Sequence, residues 1–369
     1  MVDNIFIGLM TGTSSDSLDL AAIQYTKKDF KILGLQNFDI PDNLKGEILK
    51  NSQALKIDWS SIDFLDKELG KFFSISIQNF LKSMSLEKNQ ITAIGSHGQT
   101  IKHQPNAKKP FSLQIGNPQL ISDDLGITVV GKFRDDDIDA GGQGAPISPV
   151  FHKEVFASLL EKRVIINIGG ITNITLLDKD SVIGFDTGPG NCLIDAWNRN
   201  NGRGNYDVNG QWARSGNIDQ NLLNSLMSDE YFLLDHPKST GPDYFNLTWL
   251  EKYLGTDYPD LQVNDIQATL TELTALSLTN NLETLGIQKD NIFFCGGGIH
   301  NSYLIERISK RLNKECLTTQ ELDIDPDYLE AICFAWLAKK RIEDTKFDLQ
   351  KITGSKKAVY LGKVFNPLR

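Results

Sequence analysis

The chain has 369 residues, 23% of them charged, with 38 Lys+Arg against 47 Asp+Glu and a net charge of -9, giving a pI near 5.2. Such a length accommodates two packed domains, while the acidity argues against a broad basic face of the kind that holds nucleic acid. No apolar run approaches the ~20 residues of a membrane helix; the first residues lack the basic stretch of a secretory signal, and Cys192, Cys295, Cys316 and Cys333 show no C-x-x-C or metal-ligand spacing. The expectation is a cytoplasmic protein with reduced thiols that binds neither nucleic acid nor membrane.

Ile5 to Met10 reads as a strand, Thr11 to Ser17 as a turn crowded with hydroxyls, and Leu18 to Tyr25 as the returning strand. Apolar residues recur at helical spacing from Ile62 to Met84, a short strand follows at Ile91 to Gly95, and then the polar stretch SHGQT begins at Ser96. Ile127 to Val130 is another strand. The Asp- and Gly-rich run from Arg134 to Pro149 has a composition that fits neither helix nor strand, so it reads as a boundary or a ligand-contacting loop.

The second half restates the pattern. Val164 to Ile168 is apolar, Gly169-Gly170 interrupts it, Ile171 to Leu177 resumes it, and GFDTGPGN follows from Gly184. Glycine alone tolerates positive φ and lets a ligand approach the backbone, so the paired glycines point to an anion lying against the turn. Asp186, flanked by Gly184, Gly188, Pro189 and Gly190, reads as a carboxylate on a tight loop rather than inside a strand, the place for a catalytic base. The alternative is an Asp that caps a helix beginning near Asn191. Helices are expected at Ala268 to Leu285, Asn301 to Leu312 and Asp327 to Arg341, with a strand at Asn291 to Cys295 running into Gly296-Gly297-Gly298. Two halves that each open on a strand hairpin imply a duplicated α/β unit.

A nucleoside triphosphate requires backbone N–H groups and hydroxyls around its phosphates. Three segments offer them: Gly12, Thr13, Ser14, Ser15, Asp16, Ser17, Leu18 and Asp19; Gly169 and Gly170; and Gly296, Gly297 and Gly298. Neither a P-loop ending in G-K-[ST] nor a G-x-G-x-x-G opening a helix occurs. In this order the three segments resemble the nucleotide-binding architecture of the actin, Hsp70 and hexokinase superfamily.

Over nearly its whole length the chain further resembles the 1,6-anhydro-N-acetylmuramic acid kinases. The resemblance runs through GLMTGTSSDSLD from Gly8, IGSHGQT from Ile94, QIGNPQLI from Gln114, FRDDDIDAGGQGAPI from Phe133, NIGGITN from Asn167, GFDTGPGN from Gly184, PKSTG from Pro237, QATLTELTA from Gln267, CGGG from Cys295 and LEAICFAWLA from Leu329. The chain departs from the family's pattern at Ser15, Ser17, Lys132 and Pro242. The resemblance implies an α/β, two-domain actin/Hsp70/hexokinase-like (ribonuclease-H-like) fold with an interdomain active-site cleft. The expected domains are residues 1–135, completed by 355–369, and residues 136–354.

It also implies ATP- and Mg²⁺-dependent opening of the 1,6-anhydro ring with phosphorylation of O6, yielding N-acetylmuramic acid 6-phosphate for cell-wall sugar recycling. Asp186 matches the family's base, Arg134 its contact to the lactyl carboxylate or sugar, Ser96, His97, Gln99 and Thr100 the hydroxyl contacts, and Glu330 an acidic position facing the site. His97 also reads as a core histidine, and Arg134 as a partner of Asp135, Asp136 and Asp137 on a solvated face. No metal ligands are nameable from the sequence, and homodimers are common in the family. A kinase of an ordinary hexose or amino sugar, and a nucleotide-driven binding module like actin or Hsp70, are the rival readings.

Overall fold

The computed structural model describes residues 4–12, 15–26, 30–54, 56–255, 258, 260–287 and 291–368. Thr13 and Ser14, named above as phosphate contacts, lie outside the described residues. The chain divides into two units, Met1–Phe151 with Tyr328–Arg369, and His152–Asp327.

In the first unit, β1 (Ile5–Thr11), β2 (Ser17–Tyr25) and β3 (Phe30–Asp39) form an antiparallel meander, and β4 (Ile91–Ser96) and β7 (Val129–Gly131) continue the sheet in parallel from β1. A separate hairpin, β5 (Gln99–Gln104) with β6 (Phe111–Ile115), falls between them in sequence. In the second unit, β8 (Arg163–Ile168), β9 (Ile171–Asp178) and β10 (Ser181–Pro189) repeat the meander, and β11 (Ile292–Cys295) and β12 (Leu317–Thr318) repeat the parallel extension. The short strands β13 (Lys346–Phe347) and β14 (Val359–Tyr360) pair with each other, and β15 (Lys363–Phe365) closes the first sheet against β7. Each main sheet therefore has its third, second, first, fourth and fifth strands side by side, the ribonuclease-H-like order. The duplication expected from the sequence is a duplication of topology.

The long helix Trp59–Ser83 buries Ile62, Leu65, Leu69, Phe73, Ile77 and Phe80, one per turn along a single face, and begins where Asp58 accepts from the amides of Ser60 and Ser61. The helix Leu329–Ile342 is seated differently. Gly8 and Gly95 lie opposite one another in the β1/β4 register, and a Cβ on either would overlap the carbonyl oxygens of Ala331 and Phe334. Helix backbone thus rests directly on the sheet, with Ala331, Ala335 and Ala338 fully buried.

Two expectations change here. The unit boundaries fall at 151/152 and 327/328 instead of 135/136 and 354/355, because the helix Leu329–Ile342 packs on β1 and β4, and the loop after Arg134 is stitched into the first unit. The stitch is Asp137, fully buried, which accepts from the Gly144 amide at 2.7 Å and the Thr353 hydroxyl at 2.7 Å. The Arg134 to Pro149 run also contains a short helix, Asp135–Asp139, where its composition argued against one.

Candidate active site

Asp186 stands within β10, not on a free loop, and only 5% of it is exposed. The glycines around it serve a bulge: Asp186 faces Asn173 and Gly188 faces Thr172, so Thr187 has no opposite residue. Gly188 takes φ +147°, and a Cβ there would press on the Phe232 ring. The bulge re-aims the strand at the carboxylate. Asp186 does not cap the following helix, Cys192–Asn200, whose N-cap is Asn191. Its Oδ2 accepts from the Thr240 amide at 2.9 Å, its own amide donates to the Lys238 carbonyl at 3.0 Å, and its carbonyl accepts from the Tyr231 hydroxyl at 2.8 Å.

Gly169 and Gly170 connect β8 to β9 without positive φ, contrary to the expectation. Their role is space and hydrogen bonding. A Cβ on Gly169 would meet nothing nearer than 3.5 Å, and the two carbonyls accept from the amides of Gly190, Asn191 and Cys192 at 2.8–3.0 Å, tying the turn to the chain leaving Asp186. Gly296 does take positive φ, +80°, and a Cβ there would strike the Asn167 side chain, while Gly298 is pressed against Ile168. A Cβ on Gly297 would meet nothing within 4 Å. Around these turns Asn167 Oδ1 and Thr172 Oγ1 are buried and hydrogen-bond to nothing among the described residues. Open glycine faces beside orphaned polar atoms are a donor and acceptor set suited to a nucleotide.

In the first unit the β1/β2 turn and the SHGQT segment are brought together. Thr11 Oγ1 donates to the Gly98 carbonyl at 3.1 Å and Gln99 Nε2 to the Gly12 carbonyl at 3.3 Å. Ser15 is fully buried at φ +56° with its hydroxyl unpartnered among the described residues, Asp16 is ion-paired with Lys45, and Ser17 donates to Asp19. Leu18, grouped with these in the sequence, is instead a core residue whose side chain is wholly buried. Ser96 ends β4, and Thr100 accepts from Gln114 at 3.2 Å.

His97 is buried, its Nδ1 2.8 Å from the Gly98 carbonyl and its Nε2 3.0 Å from Arg134 Nη2. Burial, helped by the Arg134 charge, lowers its pKa to about 3. Two of the neighbouring aspartates are engaged elsewhere: Asp135 pairs with Lys363, and Asp137 holds the loop. Glu330 lies half-buried in the first turn of the helix Leu329–Ile342, and its charge adds to burial in pushing the Cys333 thiol upward.

The sequence reading missed the supports behind Asp186. Lys238, Thr240 and Tyr231 surround it, and Asp229 accepts from the Tyr231 amide, the Tyr244 and Tyr253 hydroxyls and the Trp249 indole, all at 2.8–2.9 Å. The signal for the first two was the PKSTG motif itself. For Asp229 there was none, since its partners are scattered over 24 residues.

Two sheets of one ribonuclease-H-like strand order, each opening on a hairpin with glycine in its turn, define a two-unit α/β protein. The sequence profile described as "Anhydro-N-acetylmuramic acid kinase" matches residues 4–367. A protein of that name from Coxiella burnetii (strain Dugway 5J108-111) is 44% identical over 365 residues, covering 98% of this chain and 97% of its own. One from Saccharophagus degradans is 40% identical over 372 residues, with both chains fully covered. Component A of the Acidaminococcus fermentans (R)-2-hydroxyglutaryl-CoA dehydratase, a solved structure, aligns over 92% of this chain and 99% of its own at 11% identity and a TM-score of 0.47. The chain belongs to the anhydro-N-acetylmuramic acid kinase family.

Proposed function

We propose that this kinase hydrolytically opens 1,6-anhydro-N-acetylmuramic acid and phosphorylates O6, with Asp186 as the base that takes a proton from the attacking water. The observation that carries the reading is the Asp186 carboxylate itself: almost fully buried, set on a strand bulge and gripped at Oδ2 by the Thr240 amide. A base must be held within hydrogen-bond reach of its proton donor, and rigid seating of this kind supplies that.

The rest of the chain divides the remaining tasks. Gly169, Gly170 and Gly296 to Gly298 bind the nucleotide by backbone groups, and Gly12, Thr13, Ser14, Ser15, Asp16, Ser17 and Asp19 are its phosphate contacts. ATP supplies the phosphoryl group, and Mg²⁺ screens its charge. The ion is bound chiefly by phosphate and water. Arg134, aimed by His97, binds the lactyl carboxylate; Ser96, Gln99 and Thr100 bind hydroxyls, and Glu330 orients the sugar or a hydrated Mg²⁺. On this reading the enzyme acts in the cytoplasm, as a homodimer, on a small amino sugar. Family membership favours it over an ordinary hexose kinase or a nucleotide-driven binding module.

The test is turnover of the anhydro sugar with ATP in H₂¹⁸O, followed by mass analysis. The product should gain one phosphate and one water, with the heavy oxygen at C1. Phosphorylation with no added water would overturn the reading.

A further inference from the structure

Thr240 meets Asp186 through its amide, which donates to Oδ2 at 2.9 Å, while its own hydroxyl is buried and hydrogen-bonds to nothing among the described residues. Covalent geometry keeps a threonine Oγ1 within about 4 Å of its amide nitrogen, so the hydroxyl stands next to the carboxylate that the amide holds. From the sheet, Asn173 of β9 lies directly opposite Asp186 of β10. Side chains of directly opposed residues share one face with their Cβ atoms about 5 Å apart, and Asn173 Oδ1 is a second buried atom with no partner among the described residues. A buried polar atom left unserved is costly, and a native fold keeps few of them without a reason. Two such atoms flank one carboxylate here.

We propose that Thr240 and Asn173 are catalytic residues that, with Asp186, seat the water that attacks C1. The proposal rests on the reading of Asp186 as the base. Water suits this corner because it brings two hydrogens to two acceptors: one is donated to the Asp186 carboxylate and the other to Asn173 Oδ1. The Thr240 hydroxyl, free to turn about its C–O bond, donates to the water oxygen, and about three bonds are what a buried water makes. The remaining lone pair is left for C1. A sugar hydroxyl carries one hydrogen and serves only one of the two acceptors. In the step itself the water oxygen bonds to C1 as the C1–O6 bond breaks, its proton passes to Asp186, O6 takes the γ-phosphoryl group of ATP, and ADP leaves. Asp186 is held throughout, its amide on the Lys238 carbonyl, its carbonyl on the Tyr231 hydroxyl and its Oδ2 on the Thr240 amide, so the seat is fixed in advance of the reaction.

The experiment measures kcat and the KM values for ATP and the anhydro sugar in the wild type, Thr240→Val, Thr240→Ser, Asn173→Ala, the double variant Thr240→Val with Asn173→Ala, and Asp186→Asn. Thr240→Val keeps the size of the side chain and the amide that holds Asp186 while removing the hydroxyl. Thr240→Val and Asn173→Ala should each lower kcat about tenfold or more with both KM values unchanged, and Thr240→Ser should keep most of the wild-type kcat. Because the two groups hold one water, the double variant should lose less than the product of the two single losses. Losses that multiply, equal kcat in Thr240→Val and Thr240→Ser, or a raised sugar KM at unchanged kcat would each overturn the inference. So would loss of the folded circular dichroism spectrum in Thr240→Val and Asn173→Ala alike, which would mark both residues as structural; if one alone unfolds, the kcat and KM values of the other decide. Near-normal turnover in Asp186→Asn would instead sink the base assignment, whereas an inactive Asp186→Asn beside wild-type kcat in Thr240→Val and Asn173→Ala sinks the water seat alone.

Discussion

Arg134 Nη2 stands 3.0 Å from His97 Nε2, and that contact fixes the proton on the imidazole. A guanidinium only donates, so Nε2 accepts, and the proton resides on Nδ1, which donates to the Gly98 carbonyl at 2.8 Å. The neutral ring is the form that a pKa of about 3 requires. His97 is thus a buried residue that orients the Arg134 side chain, the group proposed as the carboxylate ligand.

The fork geometry makes Arg134→Lys a harsh change. Lysine keeps the charge but loses the planar pair of donors and the bond to His97 Nε2. The KM for the anhydro sugar should rise about tenfold or more, with the KM for ATP little altered. Steady-state kinetics with each substrate varied in turn gives the answer, and an unchanged sugar KM would remove Arg134 from the binding set.

Asp186→Asn preserves size and the bond from the Thr240 amide while abolishing basicity. Turnover should drop at least about a hundredfold with nucleotide affinity retained, as measured by calorimetry with a non-hydrolysable ATP analogue.

Acid should destabilise the fold through three histidines. His97, His103 and His152 are all buried, and burial lowers each pKa from 6.5 to about 3. The unfolded chain therefore binds more protons than the native one between these values. Stability is fully present above pH 6.5 and is lost as pH falls toward 3, by up to about 1.4 kcal/mol per pH unit for each ring. Asp137, whose carboxyl burial pushes upward, works in the opposite direction. Urea midpoints measured from pH 7 to pH 4 should decline, and His152→Gln should flatten the slope.

Gly95→Ala should be severely destabilising although it adds one methyl group. The new Cβ would meet backbone, the Phe334 carbonyl, and backbone cannot rotate away as a side chain can. Loss of several °C or more in Tm is expected, whereas Gly46→Ala, within the helix Asp42–Gln53 and with open space around it, should cost far less.

The periodic elements were legible in the sequence. The helix read at Ile62 to Met84 is Trp59–Ser83, and that read at Ala268 to Leu285 is Val263–Thr284. The strand β3 was missed because its burial is partial throughout and no clean alternation marks it. Asp186 was located but placed on the wrong kind of element, because glycines around a carboxylate signal a break in regular structure, and a strand bulge is such a break without being a loop. Asp186 is held by Tyr231, 45 positions away, and by Lys238, farther still, distances over which one sequence carries no pairing signal.

The seating of the helix Leu329–Ile342 on Gly8 and Gly95 also orders events during synthesis. The strands leave the ribosome before the helix that covers them, so they wait with an apolar face uncovered while the whole of His152–Asp327 is translated. The second unit is contiguous and has everything it requires to collapse first. A nascent chain stalled before Leu329 should accordingly show protease resistance confined to that later-made half, with the earlier strands still open to cleavage or held by a chaperone.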